Sequence, residues 1–175
     1  IDFADARWRG VTVTVKGRDC SSIQKALDNP ARPLTVVLPE GKYNIKKTLL
    51  VHSGTTIKAH PRAHLQLDGS VKRKAGEFLL SNADEINGNE KITIEGGIWD
   101  ANKEQGYNVK VPQSEKFNPA SWSGVTLNFR NVKNLRLYDM TLANSVTFNA
   151  RFCQVDGFDI RRLKIVSDII KNNQD

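Results

Sequence analysis

The chain has 175 residues, with 26 Lys plus Arg against 19 Asp plus Glu and a formal charge of +7; that length carries one domain, residues 1–175. Hydrophobic residues at 39% and charged residues at 26% supply a core and exclude a disordered polyelectrolyte, and no apolar run reaches the ~20 residues of a membrane helix. The basic excess is spread out, with concentrations around His60, Arg62 and His64 and at Lys72, Arg73 and Lys74. It lacks the basic stripe with interleaved aromatics of a nucleic-acid reader, and it is compatible with an acidic polysaccharide.

The first predicted element is a helix over residues 21–28. Ser21 followed three residues later by Gln24 makes a capping box, and Asn29-Pro30 stops the helix. Downstream, short β-rich runs at 34–38, 48–51, 55–58, 64–67, 78–80, 91–95, 125–129, 134–138 and 146–150 are separated by Gly, Asn, Asp and Pro. The two cysteines, Cys20 and Cys153, form neither a disulfide framework nor a metal pair and read as separate thiols.

Three units share an apolar-polar-apolar triplet: Ile92-Thr93-Ile94, Leu135-Arg136-Leu137 and Phe158-Asp159-Ile160. Each is followed by a second triplet five residues on, starting at Gly97, Met140 and Leu163. The second and third units are 23 residues apart and the first and second 43 apart, so one coil carries an insertion, residues 101–123, broken by Pro112 and Pro119. Matched offsets at this period predict an all-β fold, a right-handed parallel β-helix with a short N-terminal capping helix. Ile92, Leu135 and Phe158 should share one internal ladder, and Ile94, Leu137 and Ile160 the next. The insertion is expected to project beside a groove. Residues 165–175 offer no cap comparable to the N-terminal helix, so the solenoid is expected to be incomplete and to continue into a C-terminal remainder of the same β-helix.

Several segments resemble the pectin lyase-like β-helix superfamily, and within it the polygalacturonase-like family 28 of glycoside hydrolases. Ser22-Ile23-Gln24-Lys25-Ala26-Leu27 is similar to the helix that caps those solenoids, and Pro39-Glu40-Gly41-Lys42-Tyr43 to the turn opening the first coil. Gly96-Gly97-Ile98-Trp99-Asp100 looks like the family's Gly-Gly-x-Trp-Asp segment, and the coils from Asn131 to Ile165 lead toward its Asn-Thr-Asp-Gly motif, where this chain has Asn173-Gln174-Asp175. Gln174 replaces the family's Thr, and the later Asp-Asp, Gly-His-Gly and Arg-x-Lys elements have no counterpart in these 175 residues. The resemblance implies a secreted, periplasmic or cell-surface enzyme that hydrolyses a uronic-acid-containing polysaccharide without a cofactor, with Asp175 in the catalytic set and Asn173 beside it contacting substrate. A polysaccharide lyase, using a Lys or Arg base and often Ca²⁺, and a noncatalytic tailspike-like glycan-binding module are the alternatives.

Within the insertion, Tyr107 and Trp122 are candidate sugar-stacking residues beside Lys103, Lys110 and Lys116. Asp100, Asp139, Asp156 and Asp159 fall where turns between strands commonly place Asp, and carry little catalytic weight. His52, His60 and His64 read as solvated turn histidines, because Pro61 removes the helix that would align His60 with His64 as metal ligands. Ser22 and Lys25 match a Ser-x-x-Lys pattern by letters only.

Overall fold

The computed structural model describes residues 10–69, 78–102, 126–145 and 148–167. In chain order the elements are β1 (Val11–Thr14), α1 (Cys20–Leu27), β2 (Leu34–Leu38), β3 (Gly41–Ile45), β4 (Leu49–Val51), β5 (Thr55–Ala59), β6 (Ala63–Leu67) and β7 (Leu80–Asn82). They continue as β8 (Asn89–Glu95), β9 (Ile98–Asp100), β10 (Leu127–Arg130), β11 (Val132–Tyr138), β12 (Thr141–Ala143), β13 (Ala150–Cys153), β14 (Asp156–Arg161) and β15 (Lys164–Val166).

The strands form three sheets, each parallel throughout. Sheet A runs β1-β2-β5-β8-β11-β14, sheet B runs β15-β12-β9-β6-β3, and sheet C runs β13-β10-β7-β4. From β4 onward the chain visits C, A and B in turn and repeats, so each revolution is one coil of a parallel β-helix. Such a coil cannot bury its apolar face alone; only the coil stacked on it covers the inward residues.

The inward residues stack in register. Leu135 pairs with Ile92 on one side and Phe158 on the other, and Leu137 with Ile94 and Ile160, which are the two ladders expected from the spacing. In sheet B the inward column is Tyr43, Leu65, Trp99, Leu142 and Ile165; in sheet C it includes Leu49, Leu80, Leu127 and Ala150. Trp99, at 0% exposure, satisfies its indole N–H on the Gly96 carbonyl at 3.0 Å. Phe158 is 66% exposed and Ile165 54%, because they lie in the last described strand of their sheets.

The corners use left-handed backbone. Gly96, Asp139 and Arg162 have φ of 77°, 55° and 52°, each following paired residues of β8, β11 and β14. At Gly96 the requirement is twofold, since an added Cβ would also lie 2.1 Å from the Ala59 carbonyl oxygen.

Three local expectations need correction. The helix spans Cys20–Leu27, and its cap is Asp19, whose carboxylate accepts the Ser22 N–H at 2.9 Å and the Ser21 hydroxyl at 2.5 Å. A charged acceptor takes the capping role from the Ser21 hydroxyl. Gln24 does not reach back to complete a capping box. Its amide donates to the Leu50 carbonyl at 3.1 Å and accepts the Leu50 N–H at 2.9 Å, closing the outer edge of β4. Secondly, the last described sheet C strand is Ala150–Cys153, where a run ending at Ala150 was expected, because Ala150 opens the strand opposite Leu127 and the apolar column continues from there. Thirdly, β1 and β3 are strands where none was expected. The insertion of residues 101–123 links β9 of sheet B to β10 of sheet C; beyond Ala101 and Asn102 it lies outside the described residues.

Because Leu135 is fully buried between two ladder neighbours, Leu135→Ala should cost about 3 kcal/mol in a urea titration. A loss below about 1 kcal/mol would contradict the stacked-core description.

Candidate functional site

Along β10, Asn128 stands between two inward residues, Leu127 and Phe129, and so belongs to the outer face of sheet C. Register places Ser81 on one side of it and Arg151 on the other. Asn128 and Ser81 are nonetheless 0% and 1% exposed. Polar groups removed from water at an outer face must find partners there, and these do.

Asn128 Nδ2 donates to Ser81 Oγ and to Glu85 Oε1, both at 2.9 Å, and Ser81 Oγ donates to the same Glu85 oxygen at 3.2 Å. Arg151 Nε donates to Asn128 Oδ1 at 2.8 Å, and its guanidinium lies 5.2 Å from the Phe78 ring centroid. The result is a connected chain from cation to amide to carboxylate.

Glu85 is delivered by the turn between β7 and β8. Asp84 accepts the N–H groups of Ile86 at 3.0 Å and Asn87 at 2.8 Å, and those bonds, led by the one from Asn87, hold its pKa below the usual carboxylate range. Asn131 Nδ2 donates to the Glu85 carbonyl at 2.7 Å, and Asn82 Nδ2 to those of Asp84 and Arg130, both at 2.9 Å. The turn is thereby tied to β10 and β7, and its carboxylate is fixed against sheet C.

This constellation can bind a group carrying negative charge and hydroxyls. The Nε bond anchors the Arg151 guanidinium over the Phe78 ring, while its two terminal nitrogens make no hydrogen bond among the described residues. A guanidinium so fixed matches a carboxylate bidentately. Glu85 Oε2 likewise makes no hydrogen bond among the described residues and can accept a sugar hydroxyl.

Of the residues singled out from the sequence, Asp175, Asn173, Tyr107 and Trp122 lie outside the described residues. Asp139 is held bidentately by Arg162 at 2.5 and 2.9 Å. Asp159 is held by Arg161 at 2.8 Å and by the Tyr138 hydroxyl at 2.9 Å, and both carboxylates are lowered chiefly by those arginines. Asp156 opens β14 opposite Lys133.

His60 Nδ1 accepts the Arg62 N–H at 3.1 Å within its turn, and His52 pairs with Asp28 at 2.9 Å. His64 is not a turn residue. It lies on β6, and its Nε2 is 2.7 Å from Asp100 Oδ2; an ionised carboxylate only accepts, so Nε2 carries the proton.

Asp100 is 4% exposed. Burial alone would raise its pKa, yet the Asn102 N–H at 2.7 Å, Asn144 at 3.1 Å, His64, and Gln66 at 3.0 Å outweigh it and hold the carboxyl below the ordinary range. Both oxygens are occupied, so Asp100 serves as a polar knot joining β6, β9 and the corner after β12. Among the described residues, no three His, Cys, Asp or Glu side chains converge as for a metal ion.

The sequence reading missed Phe78, Ser81, Glu85, Asn128 and Arg151. A signal was present for two of them: Asn128 and Arg151 are the polar centres of triplets spaced by the same 23 residues.

The chain matches no protein-family model and no curated protein sequence. Among solved structures it is similar to PfbA, a surface adhesin of Streptococcus pneumoniae, at a TM-score of 0.70 and 16% identity, over 93% of this chain and 40% of that one. It is also similar to a candidate glycosyl hydrolase of Parabacteroides merdae, at a TM-score of 0.67 and 15% identity, over 89% of this chain and 74% of that one. The chain thus spans less than half the length of the adhesin structure. At these identities the likeness concerns the β-helix fold.

The Asp100 knot has a pH signature. Its folded pKa lies below its unfolded value near 3.9, so its stabilisation is present above about pH 4 and is lost as pH falls through the folded pKa. Asp100→Asn should cost about 1–3 kcal/mol at pH 7, and should melt with a shallower dependence on pH between about 5 and 3 than the parent chain. Parallel melting-versus-pH curves for the two proteins would contradict this assignment.

Proposed function

We propose that this chain belongs to a carbohydrate-active β-helix protein of the secreted or cell-surface kind, which engages an acidic, uronic-acid-containing polysaccharide across the outer face of sheet C. The observation that carries the reading is the Arg151 fork, fixed on Asn128 and Phe78 beside the half-buried Glu85. A sugar carboxylate answers the guanidinium, and ring hydroxyls answer Glu85.

The chemistry proposed on that face is hydrolysis in the manner of family 28 glycoside hydrolases. By the resemblance to that family, Asp175 is assigned to the catalytic carboxylates, with Asn173 orienting substrate. Hydrolysis by inversion needs a second carboxyl group across the scissile bond to act with the first, and that partner belongs to the continuing coils of the same solenoid. Tyr107 and Trp122, in the insertion that precedes β10 in the chain, are proposed as stacking residues for the same sugar chain.

Two measurements on the full-length protein test this. In calorimetric titration with oligogalacturonate, Arg151→Gln should weaken binding tenfold to a hundredfold, the loss expected for a charge-assisted pair of about 1.5–3 kcal/mol, with little change in melting temperature. Incubation with polygalacturonate should release reducing ends without an unsaturated, ultraviolet-absorbing product. An unsaturated product would replace the hydrolase with a lyase, binding without cleavage would leave a glycan-binding module, and unchanged affinity in Arg151→Gln would remove sheet C from recognition.

A further inference from the structure

The outer face of sheet A carries a second feature, on a different side of the solenoid from Arg151. A groove of about 470 Å³ is lined by Thr56, Lys91, Thr93, Asn134 and Arg136, contributed by three successive coils. Register puts Thr35, Thr56, Thr93 and Arg136 in one outward column, so their polar groups repeat at the inter-strand spacing of about 4.8 Å. Lys91 and Asn134 occupy equivalent positions within β8 and β11, with left-handed φ of 56° and 58°.

The charges here are balanced only at a distance, by the pull between Arg136 and Asp159. Among the described residues neither Lys91 nor Arg136 makes a hydrogen bond or salt bridge, and both are exposed. The carboxylate beside Arg136 in its column is Asp159, whose oxygens are taken by Arg161 and Tyr138. Glu95 lies in the adjacent column, between Lys58 and Tyr138 and outside the groove lining. Two cations without a salt bridge among the described residues, beside two hydroxyls and an amide in a concave surface that Pro33 and Gly54 complete, form a receptor for an oxyanion.

We propose that this groove is a second ligand site, binding a carboxylate or sulfate group of an acidic glycan independently of the sheet C face. Lys91 supplies a point charge, Arg136 a planar fork and the threonines hydrogen bonds to neighbouring hydroxyls. A polysaccharide running along the solenoid axis meets these donors one coil at a time, and a site on a separate face raises avidity for a polymer without adding to the sheet C contacts.

The test uses full-length protein carrying Arg151→Gln, so that the sheet C site is weakened and the two readings fail separately. Calorimetric titrations would compare oligogalacturonate, a chondroitin sulfate oligosaccharide and neutral maltohexaose, before and after adding Lys91→Asn together with Arg136→Gln. Asn tolerates the left-handed backbone at position 91, and both side chains are exposed, so melting should be unchanged. At least one acidic probe should bind the Arg151→Gln protein and lose tenfold or more in affinity in the triple variant, and its binding should weaken as salt is raised. Whichever acidic probe responds identifies carboxylate or sulfate as the recognised group. Equal affinity of the two proteins for both acidic probes, or equal binding of maltohexaose, would overturn the proposal.

Discussion

Everything in this molecule depends on one constraint: an inward-facing side chain of a coil is covered only by its counterpart in the next coil. Leu135 is buried because Ile92 and Phe158 stack on either side of it at matched register, and Trp99 because Leu65 and Leu142 flank it. A slip of one residue would turn every apolar column to water. The same register aligns the outer columns, so Ser81, Asn128 and Arg151 become neighbours although they are far apart in sequence. Function on this scaffold is a by-product of stacking, since the ladder that builds the core also delivers polar groups in rows.

Corners and long connections then divide the labour. The corner from sheet A to sheet B is tight, built on single left-handed residues such as Asp139 and Arg162, and leaves little room for anything but their mutual ion pair. The passage from sheet B to sheet C accommodates the 101–123 insertion. The strand that follows the insertion, β10, carries Asn128, the amide at the centre of the cation, amide and carboxylate chain.

The fold was legible because it is written as arithmetic. A period of 23 between Leu135 and Phe158, repeated at Leu137 and Ile160, could arise from stacked coils without any knowledge of contacts. Local detail was less legible because it depends on which acceptor wins. Asp19 outcompetes Ser21 at the helix start, which frees Gln24 to seal the edge of β4, a partner 26 residues away. His64 was misread as a turn residue since its carboxylate partner, Asp100, is supplied by the following coil. Glu85 was invisible for the same reason: a carboxylate in a polar turn becomes part of a site only when Asn128 arrives from the following coil to hold it.

The central claim is that an acidic glycan is recognised on the outer face of sheet C through Arg151 and its supports. A crystal structure of the full-length protein with bound oligogalacturonate tests it most directly. The account predicts a sugar carboxylate on the terminal nitrogens of Arg151, with hydroxyls directed toward Glu85. Sugar bound to the protein with that face unoccupied would contradict it.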